Sequence, residues 1–218
     1  MINRYLNQIT IISTLFCLIV LLPTKSKAQA KIGLKLGPSF STFKNLDAGD
    51  PNYKFSPSVG VAIKFRDEFK RKAYLQTELY YIRKGTITSY GIDNIYLGDV
   101  RYNLHYVEMP IMVNVKLGRA FQVEAGGYGS ALIGSDFDFR GTFFNGYGGI
   151  DDRSLNKWDY GLVLGFGFSL PRRTVSLRYY HGLADISTDM AGDTFLDGAT
   201  NGTFQISFVR FFGNKKRS

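Results

Sequence analysis

His105 and His181 are the only imidazoles in this 218-residue chain, so little of it could serve nucleophilic or metal chemistry. His181, Asp185 and Ser187 offer the residue types of a Ser–His–Asp hydrolase. Geometry defines such a triad, and spacing alone does not supply it. The single cysteine, Cys17, lies inside an N-terminal apolar run, and no His/Cys cluster has the spacing of zinc ligands. Carboxylates are more abundant. Asp136, Asp138, Asp151 and Asp152 form one set, and Asp185, Asp189, Asp193 and Asp197 a second. Carboxylate oxygens among glycines can hold a hard cation such as calcium, which makes the second set the candidate metal site. Neither set has EF-hand spacing, and a solvated acidic loop is the plainer reading. Gly126-Gly127-Tyr128-Gly129 looks like a phosphate cradle, but it stands inside a strand pattern and not before a helix. No cofactor is implied.

The remaining chemistry-bearing residues are charges that recur at alternate positions. In Trp158, Tyr160, Leu162, Leu164, Phe166, Phe168 and Leu170 every second residue is large and apolar. The intervening Asp159, Gly161, Gly165, Gly167 and Ser169 are small or polar, with Val163 the exception. Successive side chains of a strand point to opposite faces, so one face meets oil and the other a polar interior. Repeated with turns between, this is the pattern of a transmembrane β-barrel.

Eight strands are expected, near 31–43, 54–66, 73–85, 101–117, 120–133, 158–170, 174–183 and 201–212. Their connections alternate in length. The stretches 66–72, 118–119 and 171–173 are short, whereas 44–53, 86–100, 134–157 and 184–200 are long. Short periplasmic turns and long outer loops are usual in outer-membrane barrels, which places both termini in the periplasm. Ile32, Leu34, Leu36, Val59, Val61, Ile111, Val113, Phe204 and Phe208 then face lipid. The inward face carries Lys35, Lys64, Glu78, Lys84, Glu108, Lys116, Glu124, Asp159 and Arg178, four acids and five bases. An eight-stranded barrel is just wide enough to be filled by side chains. Unpaired buried charge is costly, so these residues should pair, and the lumen should be filled. A lipocalin-like soluble barrel is the rival fold, with its apolar face turned inward. The bulky, nearly uncharged apolar face and the aromatics near strand ends, Phe55, Tyr81, Trp158, Tyr160, Phe65, Phe121 and Phe212, favour the membrane.

The first 28 residues read as a cleaved export signal. Arg4 precedes an apolar run over 9–22, and Ser26-Lys27-Ala28 offers a small-x-small cleavage site. The run is shorter than the roughly 20 residues a spanning helix needs. Residues 29–218 then form one barrel domain. Three of the 27 basic residues and none of the 18 acidic ones precede residue 29, leaving 24 bases against 18 acids. This excess forms no stripe, and export argues against nucleic acid as the partner. The four long loops carry twelve aspartates against four bases, and the turns and tail ten bases against two acids. The molecule is therefore polarised along its axis. Arg83 and Arg101, placed outward at the upper rim, are candidates for contact with lipid phosphates, those of lipopolysaccharide included.

Three segments carry a family resemblance. They are Tyr106-Val107-Glu108-Met109-Pro110-Ile111-Met112-Val113, Asp159-Tyr160-Gly161-Leu162-Val163-Leu164-Gly165-Phe166-Gly167, and Leu177-Arg178-Tyr179-Tyr180-His181-Gly182-Leu183-Ala184-Asp185-Ile186. With the opening Lys31-Ile32-Gly33-Leu34-Lys35-Leu36-Gly37, they resemble the PorT-like outer-membrane β-barrel family of Bacteroidetes. That resemblance implies a Gram-negative envelope protein, and its founding member serves a secretion system. Read physically, Pro110 cannot donate to the ladder and should mark a bulge or an opened pair.

The expected protein is an all-β, eight-stranded, antiparallel up-and-down transmembrane barrel with a side-chain-filled lumen. Its expected role is non-enzymatic: binding, anchoring or envelope and secretion support through the outer loops. Its expected partners are outer-membrane lipid, lipopolysaccharide and an envelope or secretion-system protein. An outer-membrane lipid-modifying enzyme and a narrow channel are the alternatives.

Overall fold

A computed structural model describes residues 29–45, 50–66, 72–92, 95–141, 145–149, 155–187 and 198–212. Among these there are ten strands and no helix. They are β1 (Gln29–Lys44), β2 (Asp50–Arg66), β3 (Ala73–Lys84), β4 (Thr86–Ile92), β5 (Ile95–Leu117), β6 (Phe121–Gly141), β7 (Asn145–Gly149), β8 (Trp158–Ser169), β9 (Arg173–Asp185) and β10 (Thr200–Phe211).

Eight of them close a ring. β1 pairs with β2 and then β3, β5, β6, β8, β9 and β10 follow antiparallel, and β10 returns to β1 through Leu34↔Arg210 to Lys44↔Thr200. Closure pairs every ring strand on both sides, as a sheet immersed in hydrocarbon requires. β8 and β9 alternate exposed and buried residues almost without a break. Leu34, Leu36, Val59, Val113, Leu164, Phe168 and Phe208 are exposed on the outer face. Phe40, Phe55, Phe204 and Tyr179 join in ring contacts near one end of that band. This is the inside-out distribution of a protein whose solvent is lipid.

The other two strands extend the barrel. The expected loops 86–100 and 134–157 are in large part strand. β4 pairs with the first residues of β2 and with the start of β5. The outer part of β6 pairs with β5 up to Gly98↔Gly141 and with β7. Beyond the lipid both faces of a strand are wet, so the alternation that marks a spanning strand is lost, and Asp99, Asp136 and Asp138 read as loop.

β3 and β4 are one strand broken at Gly85. The register against β2 slips by one residue there, from Ser58↔Ile82 below to Tyr53↔Thr86 above. Gly85 has φ +139°, and a Cβ on it would lie 2.0 Å from the Tyr102 carbonyl oxygen, so only glycine fits. Side chains satisfy the loosened carbonyls. Ser56 Oγ donates to Arg83 O at 2.6 Å, Ser41 Oγ to Gly85 O at 2.9 Å, and Lys54 Nζ to Tyr102 O at 3.0 Å. A second irregularity surrounds Pro110. The β3–β5 ladder runs from Thr77↔Ile111 to Tyr80↔Glu108 and lapses between. Thr77 Oγ1 donates to the Pro110 carbonyl at 3.0 Å.

The inward glycines of β8 make room for long side chains opposite. A Cβ on Gly165 would stand 2.8 Å from Arg178 Cγ. One on Gly161 would stand 2.0 Å from the His181 carbonyl oxygen and 2.9 Å from the Tyr128 ring. Gly161→Val is therefore expected to block folding, read as loss of the heat-modifiable band in gel electrophoresis without boiling. A normal folded band would mean that the strands can spread to accept the side chain.

Candidate functional site

The alternation of each strand dictates what meets inside the barrel, and closure brings distant strands face to face. Lys35 from β1, Glu78 from β3, Glu124 from β6 and Arg178 from β9 form one buried network. Lys35 Nζ lies 2.6 Å from Glu78 Oε2. Arg178 Nη1 donates to both Glu78 oxygens at 2.8 and 2.9 Å, and its Nε donates to Glu124 Oε2 at 2.5 Å. Gln122 and Ser176 donate to the remaining Glu124 oxygen, and Gln76 to Glu78. The Lys35 ammonium also sits 3.1 Å from the centre of the Tyr80 ring. Nearer the loop end, Lys84 bridges Glu108 and Asp159, the latter at 2.8 Å. Tyr80 donates to Glu108, and Asn201 Nδ2 to Asp159 at 3.0 Å. Each carboxylate thus has a cation and a neutral donor, the condition under which buried charge is tolerated.

Of the nine expected lumen charges, seven therefore meet in two adjoining clusters. Lys64 and Lys116 lie lower. Lys64 Nζ meets the Ser169 hydroxyl at 3.4 Å and stands 3.8 Å from the centre of the Tyr74 ring. Both lysines line a cavity at the turn end of the barrel.

The sequence reading missed an apolar plug at the other end. Phe43, Ile82, Leu104, Tyr106, Leu132, Leu155, Ile186 and Ala199 pack together inside the mouth, with Tyr80 below them. Leu155 forms an isolated bridge with Ser187, and Asn156 N donates to Ile186 O at 2.8 Å, which holds the segment across the opening. Parity carried the signal for most of these residues. Ile82 shares a face with Glu78 and Tyr80, Leu104 with Glu108, and Leu132 with Tyr128.

The histidines stand on the outer face near the loop end. His105 Nδ1 lies 2.5 Å from the Tyr81 hydroxyl, and its Nε2 lies 2.8 Å from Asp136 Oδ1. Asn103 Nδ2 donates to Asp136 Oδ2 at 2.6 Å. Burial pushes the Asp136 carboxyl up, but these two hydrogen bonds outweigh it and hold its pKa below the usual aspartate value. His181 contacts Lys44 Nζ at 3.2 Å instead of a serine. His181 and Asp185 are four strand residues apart, roughly 13 Å of extended chain, so the Ser–His–Asp arrangement is not assembled. Arg83 and Arg101 are half-buried, with Arg83 opposite His105 and Arg101 opposite Asp138. Asp185 is exposed at the end of β9, whereas Asp189, Asp193 and Asp197 lie outside the described residues. Among the described residues no group of three or more His, Cys, Asp or Glu could hold a metal ion.

A closed ring of eight antiparallel strands, oily outside and charged within, defines the class of outer-membrane β-barrel proteins. The family model of the outer membrane protein beta-barrel domain matches residues 25–188, and the chain belongs to that family. No curated protein matches the sequence. Among solved structures, Neisserial surface protein A is similar at 9% identity and TM-score 0.53, with 84% of this chain and 99% of that one covered. Ail, the attachment invasion locus protein of Yersinia pestis, is similar at 14% identity and TM-score 0.40, covering 84% and 99%. OprG from Pseudomonas aeruginosa stands at 12% identity and TM-score 0.37, covering 87% and 99%. At 9% identity the likeness to Neisserial surface protein A is one of fold.

Proposed function

We propose that this protein is a non-enzymatic surface component of a Gram-negative outer membrane, which binds or anchors envelope material through its loop end. Residues 1–28 direct export and are removed, and the turn end, with both barrel termini, faces the periplasm. The observation that carries this reading is the filled lumen. Arg178, Tyr80, Tyr106, Tyr180, Lys35 and Lys84 are large side chains, each fully buried across the barrel. A barrel filled with ion pairs and plugged by apolar residues has its useful surface outside, at the rim and loops. The motifs around Glu108, Tyr160 and Arg178 support membership of the PorT-like group of Bacteroidetes and a place beside envelope or secretion proteins.

Arg83 and Arg101 would hold the phosphates of lipopolysaccharide. Both alternate with inward residues, and Arg101 Nε is buried with no hydrogen-bond partner among the described residues. A guanidinium pairs well with a phosphate through two parallel hydrogen bonds. The double variant Arg83→Gln/Arg101→Gln is expected to retain several-fold less lipopolysaccharide than wild type after purification in mild detergent, with unchanged gel mobility of the folded form. Equal lipid content in both would remove the arginines from this role.

A further inference from the structure

We infer that the turn-end mouth of the barrel is a binding site for a soluble phosphorylated ligand. A cavity of about 310 Å³ opens there, inside the wall, at the low end of the size range of small-molecule sites. Four cations line it: Lys31 from β1, Lys64 from β2, Lys116 from β5 and Arg119 from the β5–β6 turn. Among the described residues no acidic side chain lines it. The carboxylates of the lumen are engaged higher up, Glu78 and Glu124 by Arg178 and Glu108 and Asp159 by Lys84.

Two features make this more than a basic surface. Lys64 is only 9% exposed, so its ammonium is held inside the mouth and not spread into water. It stands on an aromatic floor, 3.8 Å from the centre of the Tyr74 ring and 5.2 Å from that of Phe211, with the Ser169 hydroxyl as a further polar group. Converging cations, a hydroxyl and an apolar floor suit a phosphoryl group joined to an organic body. The basic lining favours anionic ligands, and the recessed shape disfavours extended polyanions. Lys64, Tyr74 and Ser169 are buried on the lumen side of the lining, away from the acyl chains, which favours a solute over a membrane headgroup. The site lies at the end opposite the loops, so it goes beyond the proposed surface role and stands or falls apart from it.

The test uses the full chain purified in a non-ionic detergent, with pyrophosphate as probe, by calorimetric titration. Saturable binding at micromolar to low millimolar concentration is expected. Lys64→Gln and Arg119→Gln should each weaken it at least tenfold. Arg119 is exposed in a turn, so its variant remains informative even if the Lys64 change disturbs folding. Absence of saturable heat, or wild-type affinity in the Arg119 variant, overturns the inference. A second arm compares nanodiscs of phosphatidylcholine with nanodiscs rich in phosphatidylglycerol. Equal pyrophosphate affinity in both supports a soluble ligand. Loss of binding in the anionic discs would assign the site to lipid headgroups and overturn the soluble source.

Discussion

Arg178→Leu is expected to lower the stability of the folded barrel by about 3–5 kcal/mol, the loss usual when one partner of a buried ionic network is removed. The reason is geometric. Arg178 alone joins Glu78 on β3 to Glu124 on β6, across the barrel from its own strand β9. Removing it leaves two carboxylates in a space closed to water. Glu78 keeps Lys35 at 2.6 Å, but Glu124 keeps only neutral donors among its described contacts. Adding Glu124→Gln to the arginine variant should therefore restore part of the loss, because it removes the charge left without a counterion. The measurement is the midpoint of heat or urea unfolding in detergent, followed by the gel shift between folded and unfolded forms. A single variant as stable as wild type, or a double variant with simply additive losses, would show that the network is not coupled as its distances indicate.

The second large effect concerns conduction. Purified protein in planar bilayers is expected to show no current steps, and liposomes carrying it should not swell in small sugars. Two seals lie in series. The ionic layer around Arg178 and Lys84 fills the middle of the lumen, and the plug around Phe43, Leu104 and Leu155 closes the loop end. Phe43→Ala alone should leave the protein silent, since the ionic layer still blocks the path. A steady ion-selective current from wild-type protein would overturn the sealed lumen and with it the argument that the useful surface is external.

How much of this was legible in the chain follows from which faces differ in solvent. Where a strand separates lipid from a polar core, as in Trp158–Leu170, every residue reports its side, and the ring strands and inward charges can be read directly. The alternation also places Lys35, Glu78, Glu124 and Arg178 inside. It does not say which will touch, since their contacts depend on barrel closure and strand stagger. Above the lipid the contrast disappears, and β4, β7 and the outer half of β6 read as loop. The plug was missed for a different reason. An inward face that is polar over most of its length invites the reader to set aside Ile82, Leu104 and Leu132, although their parity is unambiguous. The basic mouth joins Lys64 and Lys116, which parity places inside, to Lys31 and to Arg119 of a turn, and only ring closure gathers the four.

The β5–β6 ribbon reaches well past the bilayer at the loop end. β5 has 23 residues and β6 has 21, and they remain paired to Gly98↔Gly141. A strand crosses the hydrocarbon with about 9–11 residues. About ten residues of each therefore rise past the oil, on the order of 20–30 Å at the usual rise and tilt. Flanked by β4 and β7, this four-stranded projection lifts its tip out of the lipid headgroup layer. With the loop end outward, as proposed above, the turns that join β4 to β5 and β6 to β7 are where an antibody, a phage or a neighbouring cell would meet this sheet.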